Sequence, residues 1–193
     1  MASRCGMLAG EDQERTVSGP ILVTGGTGTL GRVVTRLLLA DGHQVRVLSR
    51  RPRPADAGPA GLGSAEWAAG DLRKGRGIGA AVAGVEAIVH CATGLGDVRA
   101  GVNLIEEARL ERPRLVYISI VGIDRVSLGY YKSKLEVERR VETSGLPWTI
   151  LRATQFTSAG IRRGSLLAPD HAVGRVTFDQ FLAGRFPSGP AGP

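Results

Sequence analysis

The sequence predicts an α/β protein: a doubly wound parallel sheet of about six strands, followed by a short irregular C-terminal tail. Three observations carry that prediction. Short apolar runs of strand length alternate with segments of helical spacing, the pattern of a parallel sheet with right-handed crossovers. The first strand breaks into a glycine-rich turn that opens directly into a helix, over Ile21 to Gly31 (ILVTGGTGTLG). The 193 residues are 42% hydrophobic with a mean hydropathy of +0.01, enough for one substantial core.

Each element has its own signal. Ile21 to Thr24 is a buried strand, and the helix after it carries Leu30, Val33, Val34, Leu37 and Leu38 as an apolar stripe. Asp41-Gly42 stops that helix, and Gln44 to Ser49 alternates into a second strand. Arg51 to Gly63, rich in Pro, Gly and Ala, is a loop; Ala65 to Ala69 is a third strand ending in Gly70-Asp71-Leu72. A short helix, Ile78 to Ala83, leads to the fourth strand, Ala87 to Cys91. Val98, Val102, Ile105 and Ala108 give Asp97 to Leu110 helical spacing, and Pro113 stops it. Leu115 to Ile120 is a fifth buried strand, Leu128 to Ser144 a helix ended by Gly145, and Trp148 to Leu151 a sixth strand. The expected organisation is a flexible segment over 1–18, a sheet domain over 19–156 and an irregular or truncated region over 157–193.

The glycine turn points to a phosphate ligand. A pyrophosphate needs backbone N–H groups at close range and the positive end of a helix dipole, and side chains in the turn would block both. Gly25 permits the tight turn, Gly28 lets the backbone approach phosphate, and Gly31 lets the helix pack on the strand, with Thr27, Thr29 and Leu30 between them. The spacing is G-x-x-G-x-x-G with no Lys after it, which disfavours a phosphoryl-transfer loop. The second strand ends in Ser49-Arg50-Arg51 with no acid until Asp56. An acid there would bond a ribose 2′-OH, whereas Arg accommodates a 2′-phosphate, so NADP is favoured over NAD. Otherwise Arg50, Arg51 and Arg53 form a solvated basic loop.

Composition excludes several classes. The net charge of +7 invites nucleic acid, but the bases are spread along the chain among acids, and the 5% aromatics do not alternate with a basic run. Cys5 and Cys91 lack C-x-x-C spacing, and His43, His90 and His171 are scattered, so neither a disulfide nor a metal site is expected. Met1 to Ser18 holds no apolar core of signal-peptide length and no run approaches a membrane span; the expected compartment is the cytoplasm. His90, ending a buried strand, reads as a satisfied core histidine, and Cys91 as a buried small side chain.

Tyr130 and Lys134 lie four apart on one helix face. A nearby ammonium stabilises phenolate and lowers the tyrosine pKa, which suits proton transfer. A solvated helix face is the alternative.

With TGGTGTLG, GDL at Gly70, CAT at Cys91, NLIEEAR from Asn103, LVYISIVGID from Leu115, YYKSK from Tyr130 and LPWTILRATQF from Leu146, the chain resembles the short-chain dehydrogenase/reductase superfamily, in its NmrA-like NAD(P)-binding branch. The resemblance runs from about Pro20 to Phe156 and implies a Rossmann fold. It also implies that Asp71 and Leu72 contact adenine, that Ala92 and Thr93 line the cofactor, that Tyr130 transfers a proton and that Lys134 binds the nicotinamide ribose. The family's catalytic serine lies just past the fifth strand, where this chain has Ser119 followed by Ile120-Val121-Gly122. If Val121 holds the matching position, that serine is absent. Two functions follow: an NADPH-dependent reductase or dehydrogenase of a small carbonyl or alcohol, or an NADP(H)-binding sensor without turnover that docks to another protein. Tyr130 and Lys134 favour the first, the serine and the tail the second.

Overall fold

The computed structural model describes residues 19–53, 62–94, 96–125 and 128–153. The segments expected to be flexible (1–18) and irregular (157–193) lie outside these residues, and so does most of the Pro-rich loop.

Six parallel strands form one sheet: β1 (Ile21–Thr24), β2 (Val45–Ser49), β3 (Glu66–Ala69), β4 (Ala87–His90), β5 (Arg114–Ile120) and β6 (Trp148–Ala153). Their order is β3-β2-β1-β4-β5-β6, so the winding reverses between β1 and β4. Thr24 lies in register with Leu48 on one side and His90 on the other, which brings three carboxyl ends to one level. Ligands bind beyond the carboxyl ends of the strands at such a switch point.

Alternation along the strands separates two cores. Leu22, Ile88, Leu115 and Tyr117 pack with residues of α2 (Ile78–Val82), α3 (Asp97–Ala108) and α4 (Gly129–Glu142), among them Leu104 and Val137. On the opposite face Ile21, Val23, Val45, Val47 and Val89 pack with Val34 and Leu38 of α1 (Thr29–Ala40). These strands are buried on both faces, which explains their near-continuous apolar sequence.

The differences from the sequence reading have physical causes. The buried stripe of α1 is Gly31, Val34, Thr35 and Leu38, while Val33 is 40% exposed. Thr35 tolerates burial because its hydroxyl donates to the Gly31 carbonyl at 2.8 Å. β6 runs past Leu151 to Ala153 because Ser119 and Ile120 of the longer β5 offer partners to Arg152 and Ala153. α3 ends at Ala108; Leu110 beyond it is 92% exposed, and Arg112 adopts φ 49° before Pro113. Single 3₁₀ turns at Leu72–Lys74 and Ile123–Arg125 escaped the sequence reading.

Candidate functional site

Past β1 the chain turns at Gly25, with φ +69°, and a Cβ there would stand 2.6 Å from the Ala92 nitrogen. A side chain at Gly31 would run into the Gly25 carbonyl. Both positions need glycine for packing within the protein itself. Gly28 is different: its φ is −80°, and an added Cβ would meet only the Gly25 oxygen, at 3.2 Å. The absence of a side chain here keeps the start of α1 open. No side chain caps α1 and no acid occupies its first turn, which leaves its leading N–H groups for a ligand.

A cleft of about 450 Å³ opens there, lined by Gly25, Thr27, Gly28, Ser49, Arg50, Asp71, Leu72, Ala92 and Thr93 among others. Thr29, Leu30 and Gly31 form the first turn of α1 behind that lining. Arg50 and Arg51 both line the cleft and are exposed. Their backbone is fixed: the Arg51 N–H donates to Ser49 Oγ at 3.0 Å, and Trp67 Nε1 donates to the Arg51 carbonyl at 2.9 Å. Asp71 Oδ1 accepts from the N–H groups of Arg73 and Lys74, at 2.9 and 3.3 Å. Asn103 Nδ2 donates to the Leu72 carbonyl at 2.6 Å and ties that turn to α3. The donor set suits a dinucleotide phosphate: an open helix start on one wall, guanidinium groups on another.

Tyr130, half-buried at the start of α4, shares a 2.7 Å hydrogen bond with Thr93 Oγ1, and Thr93 lines the cleft. Lys134 is 4% exposed and turns toward the sheet. Its ammonium donates to Tyr117 Oη at 3.2 Å and to the Ile118 carbonyl at 3.0 Å, and lies 4.8 Å from the Tyr117 ring centre. This corrects the expected pairing. Tyr130 is raised from its ordinary pKa, chiefly by burial, while the Thr93 hydrogen bond opposes the rise. The four-carbon stem of Lys134 reaches β5, so sharing a helix face with Tyr130 does not join the two groups. Burial lowers Lys134 itself, against the pull of Asp97, Cys91 and Glu138.

Ser119 is 2% exposed, and its hydroxyl is buried without a hydrogen-bond partner among the described residues. It is absent from the cleft lining. The cleft instead includes residues the sequence reading passed over, Arg73, Gly96 and Asp97. Asp97 opens α3, where an acid is usually a dipole partner. It is 6% exposed, one carboxylate oxygen has no partner among the described residues, and burial raises its pKa while Lys134 and the Gly94 backbone oppose the rise.

His90 is the satisfied core histidine expected: Nδ1 shares a 2.7 Å hydrogen bond with Thr24 Oγ1, and the ring stacks on Tyr117 at 5.6 Å. Burial first, and Lys134 second, lower its pKa from 6.5 to about 3. The unfolded chain therefore takes up this proton more readily. Stability is complete above pH 6.5 and is lost as the pH falls toward 3, at about 1.4 kcal/mol per unit. Urea melts near neutral pH and about two units lower should show that loss, and His90→Asn should flatten it. Cys91 is buried, and its thiol is pushed up to about 12, chiefly by burial, which makes it inert at neutral pH.

Among the described residues no group of three His, Cys, Asp or Glu is arranged to hold a metal, and no helix is long and apolar enough to cross a membrane.

The NAD(P)H-binding family matches residues 25–177, and the chain belongs to that family. The match extends beyond Phe156, into residues outside those described. The chain is 37% identical over 100 residues to a 3-beta-hydroxysteroid dehydrogenase of Mycolicibacterium neoaurum, covering 52% of this chain and 26% of that protein. It is 34% identical over 150 residues to the chloroplastic protein High Chlorophyll Fluorescence Phenotype 244 of Arabidopsis thaliana, covering 70% and 36%. The Citrobacter sp. triphenylmethane reductase, solved in complex with NADP(H), shares the fold: TM-score 0.62 at 22% identity, over 76% of this chain and 54% of that one. The chain thus spans about a quarter to a third of the length of these two relatives.

Proposed function

We propose that this chain is the dinucleotide-binding part of an NADP(H)-linked oxidoreductase that interconverts a small carbonyl and its alcohol. The observation that carries the reading is the convergence on one cleft of an uncapped glycine-turn helix, two exposed arginines and, through Thr93, the Tyr130 hydroxyl. In this reading the turn from Gly25 to Gly31 holds the pyrophosphate, Ser49, Arg50 and Arg51 the 2′-phosphate, Asp71 and Leu72 the adenine, and Ala92 and Thr93 the nicotinamide side. When bound, the nicotinamide would supply or accept a hydride. Tyr130 gives the carbonyl oxygen its proton on reduction and takes it back on oxidation. Lys134, held by Tyr117 and the Ile118 carbonyl, has the remaining ammonium proton for a ribose hydroxyl.

Cofactor choice is the first test. NADPH should bind more tightly than NADH by roughly 1.5–3 kcal/mol, the worth of charge-assisted bonds to phosphate. Arg50→Asp should erase or reverse the preference, and equal affinities in the native chain would remove the basis for NADP. A fluorescence titration with NADPH, followed by a carbonyl panel read by loss of nicotinamide absorbance, tests the chemistry.

A second reading is a dinucleotide-binding module without turnover. It is favoured by the buried Ser119 hydroxyl, which lies outside the cleft lining. Stoichiometric NADPH binding with no carbonyl-dependent oxidation across the panel would select it.

A further inference from the structure

We propose that Thr93, on the loop after β4, is the hydroxyl partner that positions Tyr130 for proton transfer and stabilises the phenolate formed there. This rests on the oxidoreductase reading above. A tyrosine that gives up its proton needs a donor to receive the negative charge, in place before the reaction rather than recruited from water. Two of the described hydroxyls are candidates for that task.

Ser119 is the one expected from the sequence, and it is closed off: 2% exposed, with an unpartnered oxygen and no place in the cleft lining. Thr93 meets each requirement. Its Oγ1 lies 2.7 Å from Tyr130 Oη, within the short range of O–H···O hydrogen bonds. Thr93 also lines the cleft from a loop whose backbone is packed against the glycine turn, since the Ala92 nitrogen stands where a Gly25 side chain would go. The hydroxyl pair is therefore registered against the same turn that would hold the dinucleotide. Lys134 is committed to Tyr117 and the Ile118 carbonyl, which leaves Thr93 as the described side chain hydrogen-bonded to the phenol.

The step balances. A bound reduced nicotinamide would supply the hydride for the new C–H bond at the carbonyl carbon, giving up one of its own C–H bonds and becoming oxidised. The Tyr130 O–H bond breaks as the O–H bond of the product alcohol forms. The Thr93 hydroxyl donates to the phenolate left behind, and water entering the exposed loop returns the proton. Thr93 keeps its own proton throughout and is a positioning residue.

The test has one readout that needs neither nucleotide nor substrate. Titration of the ring-labelled Tyr130 resonance, assigned with Tyr130→Phe, should move to higher pH in Thr93→Val and return toward native in Thr93→Ser. With NADPH and the best carbonyl of the panel, Thr93→Val should lower kcat by about 10- to 100-fold, the worth of a hydrogen bond to a charged group. KM should change little, and the alkaline limb of the pH profile should shift in step with the resonance. Thr93→Ser should recover most of kcat. An unchanged Tyr130 titration in Thr93→Val overturns the proposal, as does a Thr93→Ser protein as impaired as Thr93→Val. A native chain that binds NADPH and reduces no carbonyl overturns the oxidoreductase reading instead, and the titration alone then decides the hydroxyl pair.

Discussion

Replacing Tyr130 with Phe should leave NADPH affinity near native and lower turnover by about 10²–10⁴-fold, the contribution of general acid–base assistance. The prediction is sharp because the substitution removes one oxygen and little packing. The ring keeps its edge-on contact with Tyr131, at 5.5 Å, and loses only the hydrogen bond to Thr93. The groups assigned to phosphate and adenine lie on other elements and should not respond. Lys134→Ala, by contrast, should impair both binding and turnover, because it empties a buried position beneath the cleft. Unchanged turnover in Tyr130→Phe would rule out the proton-transfer role, and lost NADPH binding would place this tyrosine in the dinucleotide site.

Arg152→Ala should lower stability by about 3 kcal/mol, the low end of the cost of stranding a buried charge. Arg152 on β6 makes a two-pronged pair with Glu138 on α4, at 2.6 and 3.0 Å. The Glu138 side chain is 2% exposed while that of Arg152 is 44% exposed, so water screens one end only. Removing the guanidinium leaves a carboxylate with nowhere to turn. The denaturant midpoint should fall at constant slope, and adding Glu138→Gln should recover much of the loss. A change below about 1 kcal/mol would class the pair with ordinary surface bridges. The pair lies one helical turn beyond Lys134, so the same substitution reports how firmly α4 is held against the sheet.

Backbone requirements were the most legible part of the sequence. Gly25 and Gly31 leave a mark in residue type because no other side chain fits where they stand. Arg50 and Arg51 line the cleft because the end of a parallel strand is a fixed address once the topology is known. Side-chain direction was less legible. The spacing of Tyr130 and Lys134 gives a shared helix face, but the reach of Lys134 to Tyr117 depends on how α4 leans on β5, which no local pattern records. Val33 was misplaced for a related reason. Apolar residues surround much of α1, and the true phase is set by Gly31 and Thr35, which hydropathy underweights. Asp97 stayed hidden because an acid that begins a helix already has an ordinary explanation.

The uncapped start of α1 makes occupancy and folding compete for the same backbone groups. At Gly28 the backbone is extended, with φ −80° and ψ 175°, a conformation open to any residue, and an added Cβ would stand 3.2 Å from the Gly25 oxygen, a tight contact that requires the turn to give slightly. A serine accommodated there would be placed to cap the helix, a contribution of a few tenths of a kcal/mol to the empty protein less the cost of that shift. It would do so by occupying the N–H groups that a phosphate would otherwise receive. The glycine keeps those groups unsatisfied in the empty state, so the helix end is finished by its ligand, and selection for a sturdier empty chain would run directly against retention of the nucleotide.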